Sequence, residues 1–100
     1  MTQPIYKLWQ SRWTEAWHQL SQEEQARLGA QVDAALGQVG GKRLVLCESA
    51  WANEQWQAFG VEEFPDLGAV QKHTQILNDL NWFRYLESST LLGTAYEPPS

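Results

Sequence analysis

The sequence predicts one α+β domain whose elements follow the order β-α-β-β-α-β. Two segments have the apolar spacing of amphipathic helices, and each begins at a capping residue. Four shorter apolar and aromatic runs alternate with them as strands. The chain has 100 residues, 43% of them hydrophobic, which suits one core but not two. This order is the ferredoxin-like pattern, with a four-stranded antiparallel sheet and two helices on one face. We therefore predict a single domain over residues 1–100.

The N-terminal half supplies the first strand and the first helix. Ile5–Trp9 is mostly apolar and aromatic, which predicts strand one. Tryptophan and leucine recur at helical spacing within Ser11–Leu20, which predicts a short helical turn. Helix one then begins at Ser21, because its hydroxyl can form a capping box with Glu24, and it ends at the glycine pair 40–41.

The C-terminal half supplies a hairpin, the second helix and the last strand. Strand two covers Lys42–Trp51 and strand three covers Gln55–Phe64, with a polar turn between them. Asp66 predicts the N-cap of helix two. Strand four covers Trp82–Leu86 and can extend towards Leu92. Residues 93–100 contain two consecutive prolines and predict a flexible tail.

Strands two, three and four are apolar or aromatic on both faces. Leu44 and Leu46 alternate with Val45 and Cys47 along strand two, so neither side of this strand is polar. Two helices can cover only one face of the sheet, and no segment remains to cover the other. A second copy of the chain is the simplest cover, so the sequence predicts a homodimer.

The charge balance excludes several classes of partner. The formal net charge is −5 and there is no basic cluster, so neither a nucleic acid nor an anionic membrane surface is predicted as a partner. No apolar run is long enough to span a membrane. Met1–Ile5 lacks the features of a secretory leader, which leads us to expect a cytoplasmic protein. Two histidines and one cysteine do not predict a metal site.

Six tryptophans are many for a chain of this length. Each buries a large apolar area and carries one N–H group that needs a partner. They either line a cavity or a subunit interface, or they pack at the edge of the core.

Three segments carry a resemblance to a known superfamily: Trp13…Leu20-Ser21-x-x-Glu24, Phe59–Leu67 and Trp82–Tyr85. In this order they resemble small members of the dimeric α+β barrel superfamily over most of the chain. The resemblance implies two sheets that face each other across a dimer and enclose a cavity in each subunit. Members of the superfamily include cofactor-independent monooxygenases, muconolactone-isomerase-like enzymes and haem-degrading enzymes.

The resemblance also bears on cofactors. Haem-degrading members place an iron-ligating histidine on the helix that corresponds to helix two, and they use a strand-one asparagine and a strand-three tryptophan. Here strand one offers Tyr6, Leu8 and Gln10, and strand three ends at Phe64. No cofactor is therefore predicted.

His73 is the leading candidate for a catalytic residue. It shares the apolar stripe of helix two, so its ring should point towards the sheet, and imidazole can act as acid or base near neutral pH. The alternative is a histidine at the core edge whose ring is satisfied by its neighbours.

The other candidates are assigned to strands. Arg84 on strand four could pair with Glu48 on strand two, either as an interface ion pair or as a clamp for a substrate carboxylate. Tyr6, Trp56 and Tyr85 would form the pocket wall together with Glu48. Two functions follow as hypotheses. One is a cofactor-independent oxygenase or isomerase acting on a small aromatic molecule, with His73 and Arg84 as catalytic residues. The other is a non-catalytic homodimer that binds a ligand or has a structural role.

Overall fold

A computed structural model of the chain describes residues 3–99. Its four strands form one antiparallel sheet in the order β2-β3-β1-β4, so the predicted ferredoxin-like α+β fold is confirmed. The elements are β1 (Ile5–Trp13), α1 (Glu15–His18), α2 (Gln22–Gln38), β2 (Lys42–Glu48), β3 (Ala58–Phe64), α3 (Leu67–Asp79), α4 (Trp82–Tyr85) and β4 (Leu86–Gly93). Residues 1 and 2, which belong to the segment examined for a secretory leader, lie outside the described residues. So does residue 100, the last residue of the predicted tail.

Both long helices begin where their capping residues predict. The Ser21 hydroxyl accepts a hydrogen bond from the Glu24 amide at 3.1 Å, and the Glu24 carboxylate accepts one from the Ser21 amide at 2.9 Å. This reciprocal pair is the predicted capping box. The Asp66 carboxylate accepts a hydrogen bond from the Ala69 amide at 2.8 Å and so caps α3. Helix α2 ends at Gln38, and Gly40 follows its C-cap with a φ of 76°, in the left-handed region.

The predicted boundaries of the first three strands need correction. Strand β1 runs on to Trp13, because it pairs with both β3 and β4 along this stretch, so the predicted helical turn is confined to Glu15–His18. Strand β2 ends at Glu48 and β3 starts at Ala58. The intervening loop turns at Asn53, whose side-chain oxygen accepts hydrogen bonds from two backbone amides at 2.8 and 2.7 Å.

The predicted start of strand four is wrong. Trp82–Tyr85 forms the short helix α4, which follows Asn81 in a left-handed conformation with φ of 58°. Thr14 holds this turn in place, because its amide donates to the Tyr85 carbonyl at 3.0 Å and its hydroxyl donates to the Arg84 carbonyl at 2.8 Å. Strand β4 then begins at Leu86 and includes the predicted extension to Leu92.

The two faces of the sheet differ in what covers them. Ile5 and Phe64 pack with α2 and α3 in a small core, and Phe64 is fully buried. We call this side the helix face, and alternation places Lys7, Trp9 and Ser11 on it. The opposite side, which includes Leu8, is the outer face. Within residues 3–99, no helix is both long enough and apolar enough to cross a membrane.

Candidate functional site

A pocket of about 820 Å³ lies between the helix face of the sheet and the helices α2, α3 and α4. It follows β1 from Lys7 to Trp13. Because a strand rises about 3.3 Å per residue, these two positions are roughly 20 Å apart. The pocket therefore has three successive parts, which we call the polar end, the middle and the aromatic end.

Buried charged side chains form the polar end. Lys7, Glu62 and His73 line the pocket and are only 8%, 6% and 3% exposed. Lys7 of β1 lies opposite Glu62 of β3, and Arg43 of β2 lies opposite Glu62 on its other side. Arg43 also forms an ion pair with Asp33 of α2 at 2.9 Å. The sheet thus carries a row of alternating charges across three strands under the helices.

Burial shifts the pKa of each of these groups. Desolvation lowers the pKa of His73 to about 4, and the nearby positive charge of Lys7 acts in the same direction. Desolvation also lowers the pKa of Lys7, against the attraction of Glu62, and raises the pKa of Glu62, against Lys7 and Arg43. His73 is consequently a neutral imidazole at pH 7.

Two buried polar atoms at this end have no hydrogen-bond partner among the described residues. They are Oε1 of Glu62 and Nδ1 of His73. The nearest aromatic neighbour of His73 is Phe64, whose ring centroid is 5.3 Å away and offers no acceptor in its plane. Buried polar atoms in proteins are nearly always hydrogen-bonded, so two unpartnered ones on one pocket wall indicate a place for a ligand's polar group.

Small residues keep the middle of the pocket open. Ser11 of β1, Ala58 of β3 and Gly29 of α2 line it. A Cβ atom at Gly29 would meet no atom within 4 Å, so empty space lies directly beside this helix. The indole of Trp9 lies over Gly60, where a Cβ would come within 2.7 Å of the ring. The glycine therefore allows Trp9 to form a flat floor against β3.

Tryptophans form the aromatic end. Trp13 stacks on Trp17 with ring centroids 3.9 Å apart, and Trp82 meets Trp13 edge-on at 5.7 Å. Trp13 and Trp82 both line the pocket, together with Phe83 of α4. Edge-to-face and stacked arrangements of this kind favour rigid ring positions, so this end is a preformed apolar surface.

The structure places two of the six predicted site residues on the pocket wall, namely His73 and Glu48. His73 opens onto the helix side of the sheet, not onto the side where the resemblance places a second sheet. Tyr6 lies on the outer face, where its hydroxyl donates to Glu63 at 3.0 Å and this contact raises the pKa of Tyr6. Trp56 lies in the β2–β3 loop, with the Arg12 guanidinium 5.9 Å from its ring centroid.

Arg84 and Tyr85 lie apart from the pocket because α4 replaces the predicted start of strand four. Arg84 is exposed, and the ion pairs among residues 3–99 do not include the predicted Arg84–Glu48 pair. Glu87 instead pairs with Arg12, at 2.5 Å. Tyr85 packs edge-on against Trp17, with ring centroids 6.5 Å apart.

Sequence reasoning missed Lys7 and Glu62 as site residues. Lys7 shares its strand face with Ile5 and Trp9, so a charge among inward-facing apolar positions was the available signal. Glu62 is two residues before the buried Phe64 and therefore on the same face, which was the available signal for this residue.

Neither a protein-family model nor a curated protein matches this chain. Solved structures do match. A mutant chlorite dismutase from Candidatus Nitrospira defluvii is similar over 99% of this chain, with 18% identity and a TM-score of 0.77. This chain spans only 43% of that protein's length.

Two shorter structures are similar over nearly their whole length. The similarity to SnoaB, a cofactor-independent oxygenase from Streptomyces nogalater, covers 97% of each of the two chains, with 12% identity and a TM-score of 0.60. A dimeric protein of unknown function with a ferredoxin-like fold, from Bacteroides fragilis, covers 92% of this chain and 96% of its own, at 10% identity and a TM-score of 0.52. The chain therefore has a ferredoxin-like fold. Within that class, its fold is the one shared by the dimeric α+β barrel proteins.

Proposed function

We propose that this protein is a cofactor-independent enzyme of the oxygenase or isomerase type, acting on a small aromatic molecule in the pocket. The proposal rests on one observation: the polar end holds a neutral, unpartnered His73 and an unpartnered Glu62 oxygen in a cavity of about 820 Å³. A volume of this size is typical of sites for small organic ligands, which lie between roughly 300 and 1,000 Å³. The similarity in fold to a cofactor-independent oxygenase is consistent with this proposal.

The chemistry we propose begins with removal of a proton from the ligand. His73 accepts the proton from an acidic O–H or C–H group, and the Lys7 ammonium stabilises the anion that remains. Before an anion forms beside it, the His73 imidazole, with its pKa of about 4, is a weak base. An anion forming beside it stabilises the imidazolium, however, because opposite charges interact strongly in a buried site. Lys7 thus takes the role that the sequence suggested for Arg84, and Glu48 remains part of the pocket wall.

Hydrogen–deuterium exchange tests this step directly. The protein is mixed with an enolisable aryl ketone, such as α-tetralone, in deuterated buffer, and loss of the α-proton signal is followed by NMR. We expect His73→Gln to slow exchange by about 100-fold or more, since general bases contribute roughly 10² to 10⁴ in rate. His18→Gln is the matched control, because His18 is exposed on α1. Ligand binding without any enzyme-dependent exchange would overturn the enzymatic proposal in favour of the non-catalytic, ligand-binding alternative.

A second candidate is suggested by the same histidine. The haem-degrading members of the superfamily use a histidine on the corresponding helix, and a neutral imidazole with a free nitrogen is the form that ligates iron. The residues present fit this group: His73, with its unpartnered ring nitrogen, would bind the iron, Lys7 would attract the negative charge of a porphyrin, and the aromatic end would contact its rings. Haem would supply redox chemistry at its iron. The strand-one differences noted from the sequence involve Tyr6, Leu8 and Gln10, whose alternation places them on the outer face, away from this pocket.

Titration with haemin separates the two candidates. If haem is the natural ligand, the Soret band should shift with saturation at one equivalent, and His73→Ala should lose the shift while His18→Ala keeps it. An unsaturable response, or equal responses in the two variants, would remove the haem candidate and leave the first proposal in place.

We further propose that the outer face pairs with a second copy of the chain. Val45, Val61, Leu8 and Leu91 form one apolar row across all four strands of this face. Leu8, Val45 and Leu91 are 38%, 41% and 68% exposed in the single chain. Exposed apolar rows of this kind mark interaction surfaces, and a self-complementary sheet face suits a twofold dimer. Sedimentation velocity at micromolar concentration tests the proposal, and a monomer would exclude it.

A further inference from the structure

The pocket has two chemically different ends, and this difference limits which molecules can fill it. The buried titratable side chains Lys7, Glu62 and His73, and both unpartnered polar atoms, are at the polar end. The other charged side chains of the lining, such as Arg12 and Glu48, are exposed to solvent. The aromatic end is formed by Trp13, Trp82 and Phe83. Between them the lining consists largely of small residues and the flat Trp9 ring. A ligand that satisfies the whole pocket must therefore be amphipathic along its length.

The polar end favours a hydroxyl group over other polar groups. Glu62 lies between Lys7 and Arg43, which act against the rise that burial causes in its pKa, and its unpartnered Oε1 is a site that accepts a hydrogen bond. A neutral imidazole either donates or accepts at Nδ1, depending on its tautomer. A hydroxyl can donate its proton to Glu62 while it accepts a hydrogen bond from a protonated Nδ1, or it can donate that proton to an unprotonated Nδ1. A carboxylate on the ligand would add a negative charge beside Glu62, and an ether could donate to neither group.

The length of the pocket excludes a single ring as its natural content. Lys7 and Trp13 are roughly 20 Å apart along β1, and a phenol held at the polar end does not extend to the aromatic end. The glycine at position 29 has no atom within 4 Å of its missing Cβ, so the space between the two ends is continuous beside α2. A longer molecule could contact both ends at once.

Building on the proposed function, we infer that the ligand is an elongated phenol-type molecule. Its hydroxyl lies between Glu62 and His73, and its apolar part runs over Trp9 to the aromatic end. When its O–H points to the unprotonated Nδ1, the hydroxyl is the group from which His73 would take a proton, so the contact with His73 both orients the ligand and positions the reacting atom. Trp13 and Trp82 are then residues that determine specificity for length.

A series of 4-alkylphenols tests the inference. Binding of 4-ethyl-, 4-butyl- and 4-hexylphenol is measured by quenching of tryptophan fluorescence, alongside the matching 4-alkylanisoles, in which a methyl ether replaces the hydroxyl. We expect the dissociation constant to fall about fourfold per added methylene, since each buried methylene contributes about 0.8 kcal/mol. The anisoles should bind about tenfold or more weakly, because Glu62 loses its donor.

Two glycines of α2 provide a matched pair of variants. Gly29→Leu fills the middle of the pocket, whereas Gly37→Leu makes the same change at a position on α2 that does not line it. Neither added side chain meets an atom within 4 Å of its Cβ, and both changes favour the helix, so both proteins should fold. We expect Gly29→Leu to weaken binding of 4-hexylphenol by about 100-fold and of 4-ethylphenol by less than threefold. Gly37→Leu should change neither.

The outcomes separate this inference from the proposed function. If ethyl- and hexylphenol bind equally well and Gly29→Leu has no effect, the elongated ligand is wrong, while proton abstraction by His73 is unaffected. If anisoles bind as tightly as phenols, the hydroxyl assignment at Glu62 and His73 is wrong. If no phenol binds and α-tetralone does not exchange, the proposed function itself fails.

Discussion

The face of the sheet that the helices cover carries charged side chains, and the face that nothing in residues 3–99 of the single chain covers carries apolar ones. The helix face is covered, yet it carries the charged row of Arg43, Glu62 and Lys7. The outer face is uncovered, yet an apolar row that includes Leu8 and Leu91 runs across it. In most domains the covered face is apolar and the solvated face is polar. The proposed ligand site at the buried charges and the proposed dimer at the exposed apolar row would both account for this reversal.

The largest expected effect comes from placing a charge on the outer face. Leu91 and Leu92 are adjacent on β4 but point to opposite faces, with Leu91 on the outer face and Leu92 opposite Lys7. Leu91→Asp should weaken self-association by more than 100-fold, because an unpaired charge would be buried in the dimer. Leu92→Asp should leave the association constant within threefold. Sedimentation equilibrium measures both variants, and equal behaviour would show that the outer face is not the interface.

The second effect concerns the charged row on the helix face. Lys7→Met leaves the buried Glu62 with only Arg43 as a nearby cation, and we expect it to lower the free energy of unfolding by about 3 kcal/mol. The double variant Lys7→Met/Glu62→Leu should recover most of this loss, since a buried charge pair can be replaced by apolar side chains without net cost.

Urea unfolding measures these free energies, and Lys42→Met serves as the control because Lys42 is exposed on β2. The double variant should also lose binding of 4-hexylphenol. If the single variant were as stable as the wild type, Lys7 and Glu62 would not be buried enough to explain the directions in which their pKa values shift.

The sequence predicted the fold better than the site, and particular residues show why. Ser21 with Glu24 and Asp66 form local caps, so the helix starts depend only on residues a few positions apart. The α4 turn depends on Thr14 binding the backbone of residues 84 and 85, a contact between distant parts of the chain that no local pattern reveals. Because the sequence predicts a strand where this turn lies, it also places Arg84 and Tyr85 on the sheet.

The site residues depended on strand register in the same way. His73 was predicted because the helix period gives its face without knowledge of any other element. Lys7 and Glu62 become neighbours only through the β1–β3 register, which pairs residues 55 positions apart, and the sequence alone does not specify that pairing. The row of Val45, Val61, Leu8 and Leu91 needs the complete strand order as well, although the two-faced apolar character of strand two was visible locally.

A third prediction uses the pH dependence of stability to isolate the contribution of His73. Its pKa is lowered to about 4 in the folded protein, against 6.5 ordinarily, so the unfolded chain binds more protons between these values. Stability from this group is therefore complete above about pH 6.5 and is lost as the pH falls towards 4. The charge of Lys7 acts on the ring and Phe64 packs beside it. Protonation of Glu62, whose pKa is raised, changes stability in the opposite direction as the pH falls.

Comparison with His73→Gln isolates this contribution, because glutamine takes up no proton. From pH 7.5 to pH 5, the wild type should lose about 2 kcal/mol more unfolding free energy than His73→Gln. His18→Gln, changed at an exposed histidine, should keep the acid sensitivity of the wild type. Urea unfolding at several pH values measures all three proteins, and parallel curves for wild type and His73→Gln would show that His73 is accessible to water.

The smallest effect is expected for a charge pair that is not covered by helices. Glu87 of β4 pairs with Arg12 of β1, and their side chains are 56% and 44% exposed. Glu87→Gln keeps the shape of the side chain, and we expect it to change the unfolding free energy by less than about 0.5 kcal/mol, because water screens exposed pairs and stays in contact with both groups. Loss of the buried Lys7–Glu62 pair would then lower the unfolding free energy about six times as much as loss of the exposed Arg12–Glu87 pair. Burial, rather than the distance between the charged groups, would set this difference. Equal losses in Glu87→Gln and Lys7→Met would contradict this explanation, since the helix face would then be as well hydrated as the exposed end of β1.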